Sequence, residues 1–398
     1  MQRLALCLEY VALAACCLTL SSDAALSRAS QGGGRLVLRG SASRTSRNAT
    51  ATGSSQLKVR AQQNATSKAT RPPKVYFLFL AVDKVSNLGV WKSFFGQAPP
   101  SQYMAYVHCK LPACTSMVSG SPLIPVPTVP SYYCTDLVSP MNQLLAYALS
   151  NDGSSTNPAD KFAFVSDSTL PAKPFSQIYS TLTMRHGSDF CAFPSNEWAD
   201  IPGNGGLEVA VKTHQWIVLE RVHAEKASIM WASGKLHNFM THFQMNSKQY
   251  SWNNNSFADS RNFGCLDEFW HMAALYGTLN HVDATGDSDV SLSLFTNAPL
   301  RVSARAGWQG SCDTFVIWSK YLHIAGQNPF LQLHSALDPA SIPHGGNFQR
   351  PGWWDTISLH GIQAIRNSGF LFVRKFIDNP YLASGGNFGT EYARIVLS

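Results

Sequence analysis

Between residues 264 and 277 the chain reads GCLDEFWHMAALYG. The adjacent carboxylates Asp267 and Glu268 open an apolar series, Leu266, Phe269, Trp270, Ala273, Ala274 and Gly277, that reads as a helix start. Two chemistries fit such a pair. Acids in a first helical turn complement the helix dipole, each stabilising by about 0.3–1 kcal/mol. A carboxylate there can instead take a proton from a reacting hydroxyl, the work of a general base. Arg374 and Lys375, in GFLFVRKF at 369–376, read from the residues alone as a solvated strand edge. Trp216, flanked by His214 and Gln215, is a core residue or a platform for a ring. GDSDV at 286–290 carries the Asp287-x-Asp289 spacing of a metal–nucleotide site. That motif needs a buried strand before it, and the preceding HVDATG is polar, so the stretch reads as a solvated loop and no hard-oxygen metal site is expected. There is no GxGxxG, P-loop or GxSxG, and no Cys or His spacing that suits zinc.

These residues need elements to position them. KVYFLFLAV (74–82) has the length and the β-branched and aromatic content of a buried strand. A helix starts near WKSFF (91–95), and QYMAYVHC (102–109) is a second strand. SPMNQLLAYALS (139–150) predicts an amphipathic helix with Ser139 at its N-cap and Pro140 at its first position. KFAFVSDS (161–168) is a third strand, followed by a helix over FSQIYSTLTM (175–184). Alternation of this kind implies βαβ units and an α/β, Rossmann-type, mostly parallel sheet flanked by helices. Ligands of such sheets sit at the carboxyl ends of the strands, where Asp83, His108 and Asp167 are expected to rim one cleft. Further strands are predicted in THQWIVLER (213–221), FVIW (315–318) and GFLFVRKF, without an internal repeat or a second linker. A single domain over 74–398 is the simplest division.

The segment before it differs in kind. Residues 4–20 are an apolar run behind Arg3, interrupted by Glu9 and followed by small residues, the pattern of a signal peptide or signal anchor over 1–25. Residues 26–73 are basic and rich in Ser, Arg and Thr, a composition of disordered stems and, less closely, of transit peptides. The net charge of +7 is confined to this end. Residues 1–74 hold eleven Lys and Arg against Glu9 and Asp23, whereas 75–398 hold twenty against twenty-two acids, so a nucleic-acid partner is excluded for the domain. Glycosylation sequons fall at Asn48, Asn64 and Asn254. Cys109, Cys114, Cys134, Cys191, Cys265 and Cys312 are an even set in an oxidising route, giving up to three disulfides of undetermined pairing; structural disulfides plus a buried thiol or two is the plainer expectation.

Taken in order, several stretches resemble one family, the core-2/I-branching β-1,6-N-acetylglucosaminyltransferases and their plant and algal relatives. KVYFLFLAV is similar to the family's opening strand, YMAYVHCK stands at its "YIHVD" strand, and KFAFVSDSTLPAKPF is similar to its "fvLlSeScIPLynF" segment. VKTHQWIVLERVHA resembles "kgsQWf.l.R.hA", CLDEFW resembles "pDEhyw", and CDTFVIW with FLFVRKF resembles "ltyvdW" and "LFaRKF". The likeness runs from Lys74 to about Asn379 and is poor over 275–312 and 323–355. It implies a GT-A-like fold and an inverting, metal-independent transfer from a UDP-sugar to a glycan or glycoprotein hydroxyl, with no cofactor. By the same resemblance Glu268 is the catalytic base, Arg374 and Lys375 bind the diphosphate, and Asp267 orients or caps. Asp167 and Trp216 line the acceptor side. A Golgi membrane or lumenal location follows, with the N-terminal segment holding the membrane if uncleaved. One departure stands out: the acid of "HVD" is Cys109 here, so Lys110 or Asp83 has to replace its nucleotide contact. Otherwise the chain is a non-catalytic carbohydrate-binding relative. A metal-dependent transferase using Asp287 and Asp289 is a further rival, and an exported structural glycoprotein is disfavoured by the βαβ pattern.

Overall fold

Seven consecutive residues, Val75–Ala81, form a strand (β1) whose every side chain is buried. Val75, Phe77, Phe79 and Ala81 pack into one core and Tyr76, Leu78 and Leu80 into another. Successive strand side chains point to opposite faces, so β1 is covered on both sides, as parallel sheets are. The computed structural model of the protein describes residues 71–151, 153, 156–203, 206–249, 264–280, 289–292, 300–303, 308, 310–318, 328–346 and 351–398. The signal segment, the basic tract up to residue 70, Asp287 and the sequons at Asn48, Asn64 and Asn254 lie outside the described residues.

After β1 come helix α1 (Leu88–Gly96), strand β2 (Tyr103–Cys109), helix α2 (Pro112–Val118), strand β3 (Ile124–Pro125), helix α3 (Val138–Ser150) and strand β4 (Lys161–Ser166). Helix α4 (Phe175–Met184) and helix α5 (Arg221–Ser233) follow, with strand Val218–Glu220 between them. The sheet runs β3-β2-β1-β4 in parallel, and Val218–Glu220 adds to β4 antiparallel. The fold is therefore mixed α/β with a mostly parallel sheet flanked by helices. One face packs on α1 and α4 through Trp91, Phe94, Phe175 and Ile178, the other on α3 and α5 through Leu144, Leu145, Ala224 and Ala227. Strand order reverses between β1 and β4, and at such switch points the loops at the carboxyl ends open a crevice.

The C-terminal part returns to that crevice. Phe372–Val373 lies between Thr314–Phe315 and Leu170–Pro171 in a small sheet, and the Phe376 N–H donates to the Ser168 carbonyl at 2.9 Å. Arg374 and Lys375 are thereby carried beside the end of β4.

Several local expectations need correction. Helix α3 begins at Val138, one residue before the expected cap; Asp136 accepts the Ser139 backbone N–H at 2.9 Å and its hydroxyl at 2.6 Å. The strand expected over 213–221 is continuous only over Val218–Glu220: Thr213 makes a single antiparallel bridge to Ala192, and its own N–H goes to the Glu268 carbonyl. FVIW pairs only through Phe315, and GFLFVRKF breaks at Arg374, whose N–H goes to the Phe315 carbonyl while Phe376 starts another strand. Asp289 and Val290, expected in a loop, begin strand Asp289–Leu292, which pairs antiparallel with Leu300–Ser303. All six domain cysteines are bridged, as Cys109–Cys114, Cys134–Cys265 and Cys191–Cys312, so none of them remains a buried thiol. Among the described residues no helix is long and apolar enough to cross a membrane.

Asp160, at the start of β4, is wholly buried and locks three segments together. Its carboxylate receives Arg71 at 2.7 and 2.8 Å, Arg221 at 2.6 and 2.9 Å, and the Lys74 N–H at 2.7 Å. Arg71, assigned by composition to the basic tract, is thus fastened to the domain. Burial pushes the Asp160 carboxyl up, but the two guanidiniums and the Lys74 N–H outweigh it and hold it below the usual range. A depressed carboxyl contributes stability that is present above its unfolded value, near 3.9, and lost as pH falls through the folded value. Asp160→Asn strands two guanidiniums, and urea unfolding at pH 7 should show a loss of about 3–5 kcal/mol. Wild type and variant should converge in stability as the medium is acidified toward pH 3.

Candidate active site

Glu268 is the last residue of a short 3-10 turn, Leu266–Glu268, that precedes helix Trp270–Tyr276. Its carboxylate turns back on the turn and accepts the Cys265 N–H at 3.0 Å, so the capping expected of Asp267 is done by Glu268. The same oxygen stands 3.3 Å from the ammonium of Lys212. Gly264 is required by this geometry, since an added Cβ would lie 2.2 Å from the ring of Phe269. Asp267 points the other way. It is buried, and neither carboxylate oxygen has a hydrogen-bond partner among the described residues. Burial first, then the charge of Glu268, push its carboxyl up to about 7.

Lys212 is itself buried and lies 3.7 Å from Glu197 and 4.7 Å from the ring centroid of Phe193. A buried ammonium needs such partners, because desolvating it costs several kcal/mol. Two residues on, His214 is buried against Phe330. Burial first, then the charges of Arg374 and Lys212, lower its imidazole to about 3, so it is neutral at physiological pH. Arg374 is half-buried, with its guanidinium carbon 4.5 Å from the ring centroid of Trp216. Asp167 is half-buried at the end of β4; burial raises its carboxyl, while Arg374, Ser168 and Lys375 pull it down. From Glu268 to Asp167 the charged groups thus form one seam, by way of Lys212, His214, Arg374 and the exposed Lys375.

No family model matches the chain, and no curated protein matches it. The seam therefore stands on its own geometry. Arg374, Lys375, Asp167 and Trp216 gather beside the end of β4, Glu268 is connected to them only by way of Lys212 and His214, and Asp267 lies apart in the core. Two of them take positions other than expected. Trp216 is buried, with 7% of its surface exposed, so its burial leaves no open ring for a sugar, and it supports Arg374. Asp267 is a core carboxyl and not a rim acid. His108 also leaves the expected rim: it is 1% exposed, and its Nε2 accepts the Val129 N–H at 3.0 Å. Asp83 remains at the surface, near enough to Asp167 to raise its carboxyl.

Lys212, His214 and Glu197 escaped the reading of the sequence. For Lys212 and His214 the signal was their place in VAVKTHQWIVL, within a stretch already quoted for the family resemblance, and nothing marked Glu197. Cys109 is committed to its bridge with Cys114, five residues away. Among the described residues no group of three or more His, Cys, Asp or Glu side chains is placed to hold a metal ion. A cavity of about 510 Å³ opens elsewhere, between helices Pro329–Ala336 and Leu359–Asn367, and none of its lining residues belongs to the seam.

The buried Asp267 makes a testable contribution to stability. A carboxyl whose folded value is raised to about 7 holds its proton in the folded state and loses it on unfolding, so its contribution falls as pH rises from about 4 to about 7. The difference in unfolding free energy between wild type and Asp267→Asn should move toward the variant across that window, by at most about 1.4 kcal/mol per pH unit, and be flat above it. Denaturant melts at intervals between pH 4 and pH 8.5 measure it.

Proposed function

We propose that the protein is an inverting glycosyltransferase with a GT-A-like catalytic domain. It moves a sugar from a UDP-sugar to a hydroxyl of a glycan or glycoprotein in the secretory pathway, and N-acetylglucosamine is the sugar the resemblance favours. The observation that carries this reading is the seam: a carboxylate, Glu268, joined through Lys212 and His214 to a guanidinium, Arg374, at the carboxyl end of a mostly parallel sheet.

In a single displacement the acceptor oxygen attacks the anomeric carbon as the bond to the UDP oxygen breaks. The proton of the acceptor hydroxyl passes to a Glu268 carboxylate oxygen, which is held in place by the Cys265 N–H and the Lys212 ammonium. Negative charge develops on the departing diphosphate, where Arg374 and Lys375 supply fixed positive charge without a metal ion. Preorganisation is the source of their effect: Arg374 is braced on Trp216, and its backbone N–H is held by Phe315. Asp167 faces the same crevice and suits a contact with the hydroxyls of a sugar. The N-terminal apolar segment and the basic tract suit delivery to the Golgi, as an anchor and stem or as a cleaved leader.

A second reading has one observation in its favour. Cys109 stands where the family has a nucleotide-binding acid, and its sulfur is taken up by Cys114. A protein that lost the donor would remain a carbohydrate-binding relative of the same fold.

The test is UDP release by the full chain from a panel of UDP-sugars in EDTA. Turnover should persist there and fall by roughly 10²–10⁴-fold in Glu268→Gln. Arg374→Ala should lower kcat by about 10²–10³-fold. Saturable sugar binding without turnover in wild type would select the second reading, and activity abolished by EDTA would sink the metal-independent mechanism.

A further inference from the structure

A loop left unused by this mechanism carries two exposed aromatic rings. Tyr132 and Tyr133 are 59% and 50% exposed, in contrast to the buried Trp216. Their backbone is nevertheless fixed. The Tyr132 N–H donates to the Asp136 carbonyl at 3.0 Å, and the Asp136 N–H returns to the Tyr132 carbonyl at 2.8 Å. Within that turn Cys134 is bridged to Cys265, with Cα atoms 4.2 Å apart, and its carbonyl accepts the Leu266 N–H at 3.2 Å.

The turn bearing Glu268 is therefore held at both ends. Its first residues are clamped to the tyrosine loop. Its last residue gives its carbonyl to the Thr213 N–H, in the cationic segment that leads to Arg374. If the diphosphate lies toward Arg374, the hydroxyl that loses its proton to Glu268 approaches from the tyrosine side. The surroundings of the loop suit a sugar there. The Lys110 ammonium stands 5.5 Å from the ring centroid of Tyr132, and Val82 and Leu111, joined by a backbone hydrogen bond, are both exposed. An apolar patch with a few polar groups at its rim marks a binding surface.

We propose that Tyr132 and Tyr133 form the platform on which a pyranose ring of the acceptor glycan lies. This rests on the transferase reading given above. A hexopyranose offers an apolar face of C–H groups that covers an aromatic ring, while its hydroxyls point outward to donors such as the Lys110 ammonium and the phenol groups. The substrate class is thus a neutral oligosaccharide engaged through a ring beside the reacting hydroxyl, and not a simple alcohol.

Saturation-transfer NMR of the full chain with lactose, N-acetyllactosamine and chitobiose tests the platform without requiring turnover. Wild type and Tyr132→Phe should pass magnetisation to the C–H face of at least one disaccharide, and the Tyr132→Ala, Tyr133→Ala double variant should not. Both side chains are exposed, so alanine leaves the cores intact, and a thermal melt of the variant checks this. In the transfer assay the double variant should raise the acceptor KM by roughly tenfold, with the UDP-sugar KM unchanged. The platform is overturned if no disaccharide of the panel contacts wild type, if the double variant binds as wild type does, or if only the UDP-sugar KM rises, which would give the rings to the uracil. Glu268-dependent UDP release with an unaltered acceptor KM in the variant removes the platform and leaves the transferase reading standing. Tyrosine-dependent disaccharide binding without any UDP release does the reverse.

Discussion

The ammonium of Lys212 is buried, and much of the candidate site is arranged around that fact. An ion taken out of water costs several kcal/mol unless it is paired at close range. Two carboxylates, Glu197 and Glu268, and the face of Phe193 answer that demand. One consequence is the orientation of Glu268, whose carboxylate is drawn to a defined place by the lysine and by the Cys265 N–H. Another is the state of His214, which burial together with the charges of Arg374 and Lys212 keeps neutral. A third lies in the backbone, where the Thr213 N–H meets the Glu268 carbonyl.

The bridges reinforce this arrangement. Cys134–Cys265 and Cys191–Cys312 join residues 131 and 121 apart in sequence, and closing loops of that size restrains the unfolded chain by about 2–5 kcal/mol each. Their placement matters as much as their energy. One clamps the turn of Glu268 to the loop of Tyr132; the other holds Cys191, whose carbonyl accepts the His214 N–H. Cys109–Cys114 is local and ties the end of β2 to helix α2.

Strands and helices with strong patterns were legible in the chain. β1, β2, β4 and α4 sit within a residue or so of where hydrophobic runs place them, because each is buried by its own composition and needs no distant partner to define it. Misreadings cluster where pairing is short or depends on a distant segment: Thr213 bridges only Ala192, the strand Phe372–Val373 ends at Arg374, and Asp289 pairs with Ser303, and no local pattern announces such a partner. Pairing of the six cysteines was equally hidden, since spacing does not reveal which loops meet.

Sequence by itself determined the α/β class, the mostly parallel sheet, the cationic N-terminal tract and the candidates Glu268, Asp167, Arg374 and Lys375. Those properties are local: they follow from side-chain type, period and composition. Only the tertiary structure decided how the acids divide their roles, with Glu268 facing Lys212 at the surface of the turn and Asp267 driven into the core. It also decided that Trp216 is buried beneath Arg374 while Tyr132 and Tyr133 are exposed. Burial and ion pairing depend on which segments meet, and that is a property of the assembled chain and not of any stretch of it.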